Sequence, residues 1–372
     1  ALTAGLHSPG RFATLGPNFL RKASAPMSPD AETTGHDLKH VKRLLDFEPV
    51  ADDFAAAVIA GLSADPKSIP PKFFYDATGS DIFNRICETE EYYVTRTEVA
   101  LLKAIGPEIA KHAGPGVSVI EYGCGSSDKI RSLLDALDGP AEYWAIDISR
   151  DHLLKSADAI GRDYPDLGVN AVVADFAAKL ELPDQMAGRK LAFFPGSTIG
   201  NQTPAEAEAF LTGVRAVVGD AGALLIGVDL KKDLDRLSRA YNDAAGHTAD
   251  FNLNLLHRMR AELGAELNPD GFEHRAFFNQ DQSRIEMHLA AKGAQSIRLG
   301  AHEFVFADGE TIHTENSCKY DIKGFQALAA RAGFEAVQSW TDADDLFSIH
   351  FLESASPAGG ARNYGPSRFV PG

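Results

Sequence analysis

From residue 117 onward, short apolar runs alternate with stretches in which apolar residues recur every three or four positions. The runs Val117–Tyr122, Tyr143–Asp147, Val169–Ala174, Lys190–Phe194 and Ala223–Val228 have the length and composition of strands buried on both faces. Between them, Lys129–Leu137, His152–Asp163 and Pro204–Val218 carry the helical period. This alternation predicts βαβ units and a doubly wound parallel sheet, an α/β architecture. Near the end, a helix over Ile322–Ala332 precedes two strands, Phe334–Thr341 and Phe347–Leu352, close enough to form a hairpin.

The pattern breaks between about 233 and 323. A long helix-like stretch comes first. Arg284–Leu289 follows, in which Ile285, Met287 and Leu289 alternate with polar residues, the period of a half-buried strand. Ser296–Leu299 and Glu303–Phe306 read as further antiparallel strands, and 313–319 as a polar run after an apolar one. Before the sheet, residues 36–64 look polar and helix-like. The paired prolines and Gly79 make 67–80 a structured loop. A short helix over Asp81–Cys87 and an aromatic loop follow, and Thr97 is expected to cap a helix from Glu98 to about Lys111. The expected organisation is a discontinuous substrate-holding domain (36–96 plus 233–323) beside a sheet domain (97–232 plus 324–354). Residues 1–35, rich in Gly, Pro, Ser and Ala, read as a disordered extension or a transit peptide, and 355–372 as a loose tail.

Charge narrows the partners. The 372 residues carry 36 Lys plus Arg against 52 Asp plus Glu, a net charge of −16, without a basic run. Phosphate backbones need a basic footprint, so neither nucleic acid nor an anionic membrane is an expected partner. No apolar run approaches the ~20 residues of a membrane span. The cysteines Cys87, Cys124 and Cys318 form no C-x-x-C pair, and the histidines show no ligand spacing. A disulfide framework and a metal site are not expected, and a cytoplasmic location is.

Candidate chemistry gathers where the strands end, the ligand side of a doubly wound sheet. Val119-Ile-Glu-Tyr-Gly123-Cys-Gly125 is a strand entering a tight glycine turn, and Asp147 closes the next strand. Glycines there let backbone N–H groups approach a ligand, and a carboxylate about 20 residues on can accept ribose hydroxyls. Asp128 stands where a third glycine would complete a dinucleotide fingerprint. That disfavours a pyrophosphate and favours S-adenosylmethionine as cofactor. Lys129 reads either as a ligand for the cofactor's carboxylate or as a solvated helix-start residue. Asp175 and Phe176 read as an adenine contact or a turn. Gly196 and Asn201 lie in a small-residue loop after the fourth strand. Tyr241 reads as a site residue or a core tyrosine, and Glu315 as a substrate carboxylate or a solvated loop acid.

The segments KSIPPKFFYDATGS, EYYVTRTE, EYGCGSSDK, FPGSTIGN, RAYNDAAG, RIEM and TENSCK occur in this order over residues 50–354. The chain thereby resembles the histidine-specific S-adenosylmethionine methyltransferases of ergothioneine biosynthesis. The resemblance implies a class I methyltransferase fold (Rossmann-like doubly wound sheet) with a second α+β substrate-binding domain. It implies trimethylation of the α-amine of L-histidine to hercynine; apart from the resemblance, a monomer is expected. By the same resemblance, Gly123, Gly125, Lys129, Asp147, Asp175 and Phe176 take cofactor positions. Tyr92, Asn201 and Tyr241 would grip the substrate amine and carboxylate as the catalytic set, with Gly196 nearby. Glu315 and Ser317, with Asn316 between them, would bind the imidazole, and Tyr75, Phe251 and Met287 would line the pocket. Three alternatives stand beside this reading: a methyltransferase of a related aromatic amino acid or derivative, a non-catalytic cofactor-binding regulator, and a nicotinamide-dependent oxidoreductase. Asp128 and the terminal hairpin weigh against the last.

Overall fold

The structure, a computed structural model, describes residues 39–47, 54–125, 127–176, 180–183, 185–355 and 367–368. The expected N-terminal extension lies outside the described residues. In chain order the elements are β1 (Arg43–Asp46), α1 (Phe54–Ser63), α2 (Ala77–Glu88), α3 (Val94–Ala113), β2 (Ser118–Tyr122), α4 (Ser127–Ala136), β3 (Glu142–Asp147), α5 (Arg150–Asp163) and β4 (Gly168–Val173). Then come β5 (Lys190–Phe194), α6 (Pro204–Val218), β6 (Ala223–Asp229), α7 (Leu234–Ala240), α8 (His247–Leu263), β7 (Phe272–Asn279), β8 (Arg284–Ala291), β9 (Gln295–Leu299) and β10 (His302–Phe306). Last are β11 (Thr311–Cys318), α9 (Ile322–Arg331), β12 (Phe334–Thr341), β13 (Phe347–Ser354) and β14 (Ser367–Arg368).

Nine strands form one sheet in the order β1-β4-β3-β2-β5-β6-β13-β12-β14. The strands from β1 to β6 are parallel, and β13 runs antiparallel to both β6 and β12. The order reverses at β2, so the loops after β2 and β5 diverge there and leave room for a ligand. Alternate residues divide between two cores. Val119 packs with α3, α4 and α5, while Ile120 and Tyr122 pack with α6 and α9. Burial on both faces explains why these strands read as unbroken apolar runs. α6 begins and ends where the sequence places it. Thr203 and Glu206 form a reciprocal capping box, Pro204 opens the helix, and Gly219 follows it at φ 74°.

Other elements differ from expectation. The polar stretch 36–64 contains β1, which joins the large sheet beside β4, and only then a helix, α1. α3 starts at Val94, and the Thr97 N–H already donates to Tyr93 O at 3.0 Å, so Thr97 is helix interior and no cap. The helix-like stretch after 233 is two helices, parted where Gly246 takes φ 77°. In the tail, Ser367 and Arg368 pair in parallel with β12 at its outer edge.

A second, antiparallel sheet, β11-β8-β7, holds the polar run 313–319 as part of a strand. Its register shifts between His313 and Glu315. Without a shift these two residues would share a face. With it, His313 lies opposite His288 on one face and Glu315 opposite Met287 on the other. The bulge thus turns Glu315 toward the side where Ile285, Met287 and Leu289 are buried.

Candidate active site

The first group of expected residues stands at the carboxyl ends of β2, β3 and β4. Gly123 adopts φ 82°, and a Cβ there would meet the Phe176 ring at 3.6 Å. Asp147 accepts from the Cys124 N–H at 2.9 Å and from the Ser149 N–H at 2.8 Å, one on each oxygen. Burial pushes its carboxyl above the ordinary value, against the opposing pull of these N–H groups and of His152. Phe176 meets Tyr122, Phe194 and Phe210 edge-on, and Asp175 lies 3.3 Å from the Lys72 ammonium. Gly125 follows in the same turn, its N–H donating to Gly123 O.

Lys129 is neither solvated nor a lone cation. Its Nζ lies 2.7 Å from Oε2 of Glu98, and both residues are buried. The two Glu98 oxygens also accept the Gly196 N–H at 3.0 and 2.8 Å. A Cβ at Gly227 would stand 2.1 Å from Glu98 Oε1, so only glycine leaves room for that carboxylate. Glu98 therefore ties the helix after the glycine turn to the loop after β5. Sequence reasoning missed it. The available signal was an acid on the apolar stripe of α3, in step with Val94, Leu101, Leu102 and Ile105.

The second group forms a chain of aromatic rings. Phe251 on α8 stacks on Phe74 at 4.5 Å and meets Tyr75 at 5.5 Å and Phe83 at 5.8 Å. Phe83 meets Tyr92 at 6.1 Å, and Tyr92 meets Tyr241 at 6.4 Å. The Tyr241 hydroxyl lies 2.6 Å from Ser317 Oγ on β11. Tyr75 is partly exposed, and the charges of Glu315 and Asp147 both add to the burial that raises its phenol pKa. Gly196 takes φ 82° and Ser197 φ 55°, and the turn Thr198–Asn201 follows. A Cβ on Gly200 would stand 2.9 Å from Cys318 O, so this turn lies flush against β11 and carries Asn201 there.

Glu315 is the most telling member. It is 9% exposed, and among the described residues its carboxylate has no hydrogen-bond partner. Burial pushes its pKa up to about 7, with the Lys319 charge holding it down. Its acceptor lone pairs are therefore open to a donor that enters from outside the chain. Asn316 differs from expectation. Strand alternation turns it to the opposite face, across from Glu286, where its Oδ1 is buried without a partner. On that face Glu286, His288 and His313 come together, but their atoms are already engaged. Glu286 accepts from Arg284 at 2.7 Å and Asn279 at 2.9 Å, His288 contacts Glu286 and Thr311, and His313 contacts Glu315 O.

The residues present suit S-adenosylmethionine better than a nucleotide carrying phosphates. Gly123 leaves a cradle against Phe176 that a side chain would fill, and Asp147 offers further lone pairs beside it. Lys129, on the helix after this turn, is already paired with Glu98, so it is not held free for a pyrophosphate.

Residues 54–354 match a family described as histidine-specific methyltransferase, SAM-dependent. A histidine N-alpha-methyltransferase of Mycolicibacterium smegmatis is 43% identical over 308 residues, covering 81% of this chain and 95% of the relative. Ergothioneine biosynthesis protein 1 of Neurospora crassa is 29% identical over 77% of this chain and 33% of its own length. The 4-dimethylallyltryptophan N-methyltransferase of Claviceps purpurea is 25% identical over 82% of this chain and 96% of its own.

Proposed function

The chain belongs to the histidine-specific, S-adenosylmethionine-dependent methyltransferases, and from that premise we propose that it converts L-histidine to its Nα-trimethylated form, hercynine, in ergothioneine biosynthesis. The observation that carries the choice of histidine is Glu315, a largely buried carboxylate with no hydrogen-bond partner among the described residues, on the face it shares with Met287 and Ser317. An imidazole N–H supplies the missing donor, while an indole is larger and has only one polar edge.

In this reading Gly123, Gly125, Asp147, Asp175 and Phe176 hold the cofactor, and Lys129 is oriented by Glu98. Bound S-adenosylmethionine supplies a methyl group already made electrophilic by the sulfonium, so the protein's task is positioning. Tyr92, Asn201 and Tyr241 hold the amino-acid end of the substrate. Burial keeps Tyr92 far above the ordinary phenol value, so it is a neutral hydroxyl that accepts a hydrogen bond from the amine and is not a phenolate base. Three transfers require the amine to lose a proton and turn its lone pair between them. A pocket firm at the imidazole and carboxylate but held by hydroxyl and amide groups at the amine permits that turning. The sheet elements 97–232 plus 324–354 would hold the cofactor, and 36–96 plus 233–323 most of the substrate, with Asn201 reaching it from the sheet side and β1 joining the large sheet. The reading includes a monomeric cytoplasmic enzyme, consistent with the unpaired thiols of Cys87, Cys124 and Cys318; sedimentation at assay concentration tests the monomer.

The test is incubation of the protein with S-adenosylmethionine and equimolar histidine and tryptophan, followed by mass spectrometry. The expected product is trimethylated histidine. Methylated tryptophan in its place would favour the aromatic-amino-acid alternative, and cofactor binding without turnover would favour a regulator.

A further inference from the structure

Tyr241 and Ser317 do not stand alone. The ammonium of Lys319, wholly buried one residue past β11, lies 3.0 Å from Tyr241 Oη and 2.7 Å from Ser317 Oγ. Its third neighbour is Asp229 Oδ2, at 2.7 Å. Asp229 is itself wholly buried at the end of β6. Tyr93 donates to it at 2.9 Å, Lys232 pairs with its other oxygen, and its backbone N–H donates to Ser197 Oγ at 2.9 Å. The cluster thus joins β6, the loop after β5, the start of α3 and the end of β11. None of Asp229, Lys232 and Lys319 was legible as a site residue in the sequence.

The hydrogen count is restrictive. An ammonium has three hydrogens and no lone pair. Those of Lys319 are spent on Asp229, Tyr241 and Ser317, so both hydroxyl oxygens must accept from it. The two hydroxyls are 2.6 Å apart, so one of them donates to the other. Of their two hydrogens a single one remains to point outward.

We propose that Lys319, anchored by Asp229, is a positioning residue that sets the hydrogen-bond polarity of the substrate pocket, so that Tyr241 and Ser317 together offer the substrate one donated hydrogen. The inference rests on the histidine reading above. It means that the amino acid must bring an acceptor to that point, a carboxylate oxygen or an unprotonated imidazole nitrogen, while Glu315 takes a donor. The cluster also reaches Glu315 through charge. Among the described residues, the titratable groups acting on Glu315 include Lys319 beyond its own strand, Tyr241 after α7, Tyr92 before α3 and Tyr75 before α2, while the His313 ring, kept below its ordinary value by burial, meets Glu315 O on the strand's other face. The phenols are neutral, and Lys319 carries the one charge among these that favours an ionised Glu315.

Lys319→Met is the direct test, because Lys232 still neutralises Asp229 in that variant. Lys319→Gln, which keeps the length without the charge, serves if the methionine variant does not fold. Histidine KM should rise at least tenfold while S-adenosylhomocysteine affinity stays within twofold. The acid limb of kcat/KM should move to higher pH, since Glu315 loses the charge that lowers its pKa. Unchanged KM and an unchanged limb in a folded variant would overturn the proposal. So would equal weakening of histidine and S-adenosylhomocysteine, the mark of a merely structural role. Failure of the wild type to methylate histidine would instead strike the functional reading itself, so the two failures are distinguishable.

Discussion

Asp147 and Glu315 are both buried carboxylates, yet they are built differently. Asp147 sits at the end of a parallel strand and is held by two backbone N–H groups of its own and the neighbouring loop. Glu315 sits inside an antiparallel strand, turned inward by a bulge, with no hydrogen-bond partner among the described residues. The proposed cofactor side holds its acid with backbone N–H groups, which any sequence with the right turns can supply. The proposed substrate side leaves the Glu315 carboxylate for the substrate to satisfy. Cofactor binding should therefore tolerate changes on the second sheet, and substrate choice should depend on very few groups there.

That contrast can be broken most sharply from the substrate. Histamine and histidine methyl ester lack the free carboxylate that Asn201, Tyr92 and Tyr241 are proposed to hold. Their kcat/KM should fall by on the order of a hundredfold or more, because pocket groups are left unpaired. Turnover of either at a rate close to that of histidine would remove the carboxylate anchor.

The next largest effect lies on the cofactor side. Asp147→Ala should weaken S-adenosylhomocysteine at least tenfold, about 1.4 kcal/mol, through lost hydrogen bonds to a charged group. Histidine binding should change little by comparison. Calorimetric titration of both ligands reads the asymmetry, and equal losses would mean that Asp147 is only part of the frame.

The smallest effect concerns stability. Folding raises the Glu315 pKa from 4.5 to about 7, so the folded state binds that proton more tightly than the unfolded chain. The ionised carboxylate then costs stability above this window and nothing below about pH 4.5. Each tenfold in proton affinity is about 1.4 kcal/mol, so a rise of about two and a half tenfold steps puts the cost at roughly 3 kcal/mol or slightly more at pH 8. Glu315→Gln should thus melt a few degrees higher than the wild type at pH 8, with the gain shrinking toward pH 5. A gain independent of pH would point to repacking in place of a removed charge.

Legibility followed the kind of burial. β5 and α6 were placed to the residue, because an unbroken apolar run and the Thr203–Glu206 box are local signals, and β12 was placed too although FEAVQSWT mixes polar and apolar residues. β11 read as a polar run, since the bulge at Thr314 breaks the period-two pattern and its inward residues include Glu315 and Ser317. β7 went unread because FEHRAFFN mixes charged and aromatic residues on a half-exposed strand. Of the site, Gly123, Asp147, Phe176 and the Tyr75, Tyr92, Tyr241 and Phe251 rings do gather as motifs suggest. Glu98, Asp229 and Lys319 escaped notice, because a buried ion looks in sequence like a solvated one. Their partners lie far along the chain, Glu98 beside Lys129 and Asp229 beside Lys319.

The central claim is that Glu315 reads the imidazole of histidine, and one titration tests it most directly. Histidine is titrated into wild type and Glu315→Ala, each saturated with S-adenosylhomocysteine, at pH 8, where Glu315 is ionised. The account predicts a loss of roughly ten- to a hundredfold in histidine affinity, the scale of one charged hydrogen bond, with S-adenosylhomocysteine affinity unaltered. Full histidine affinity in the folded variant would contradict it.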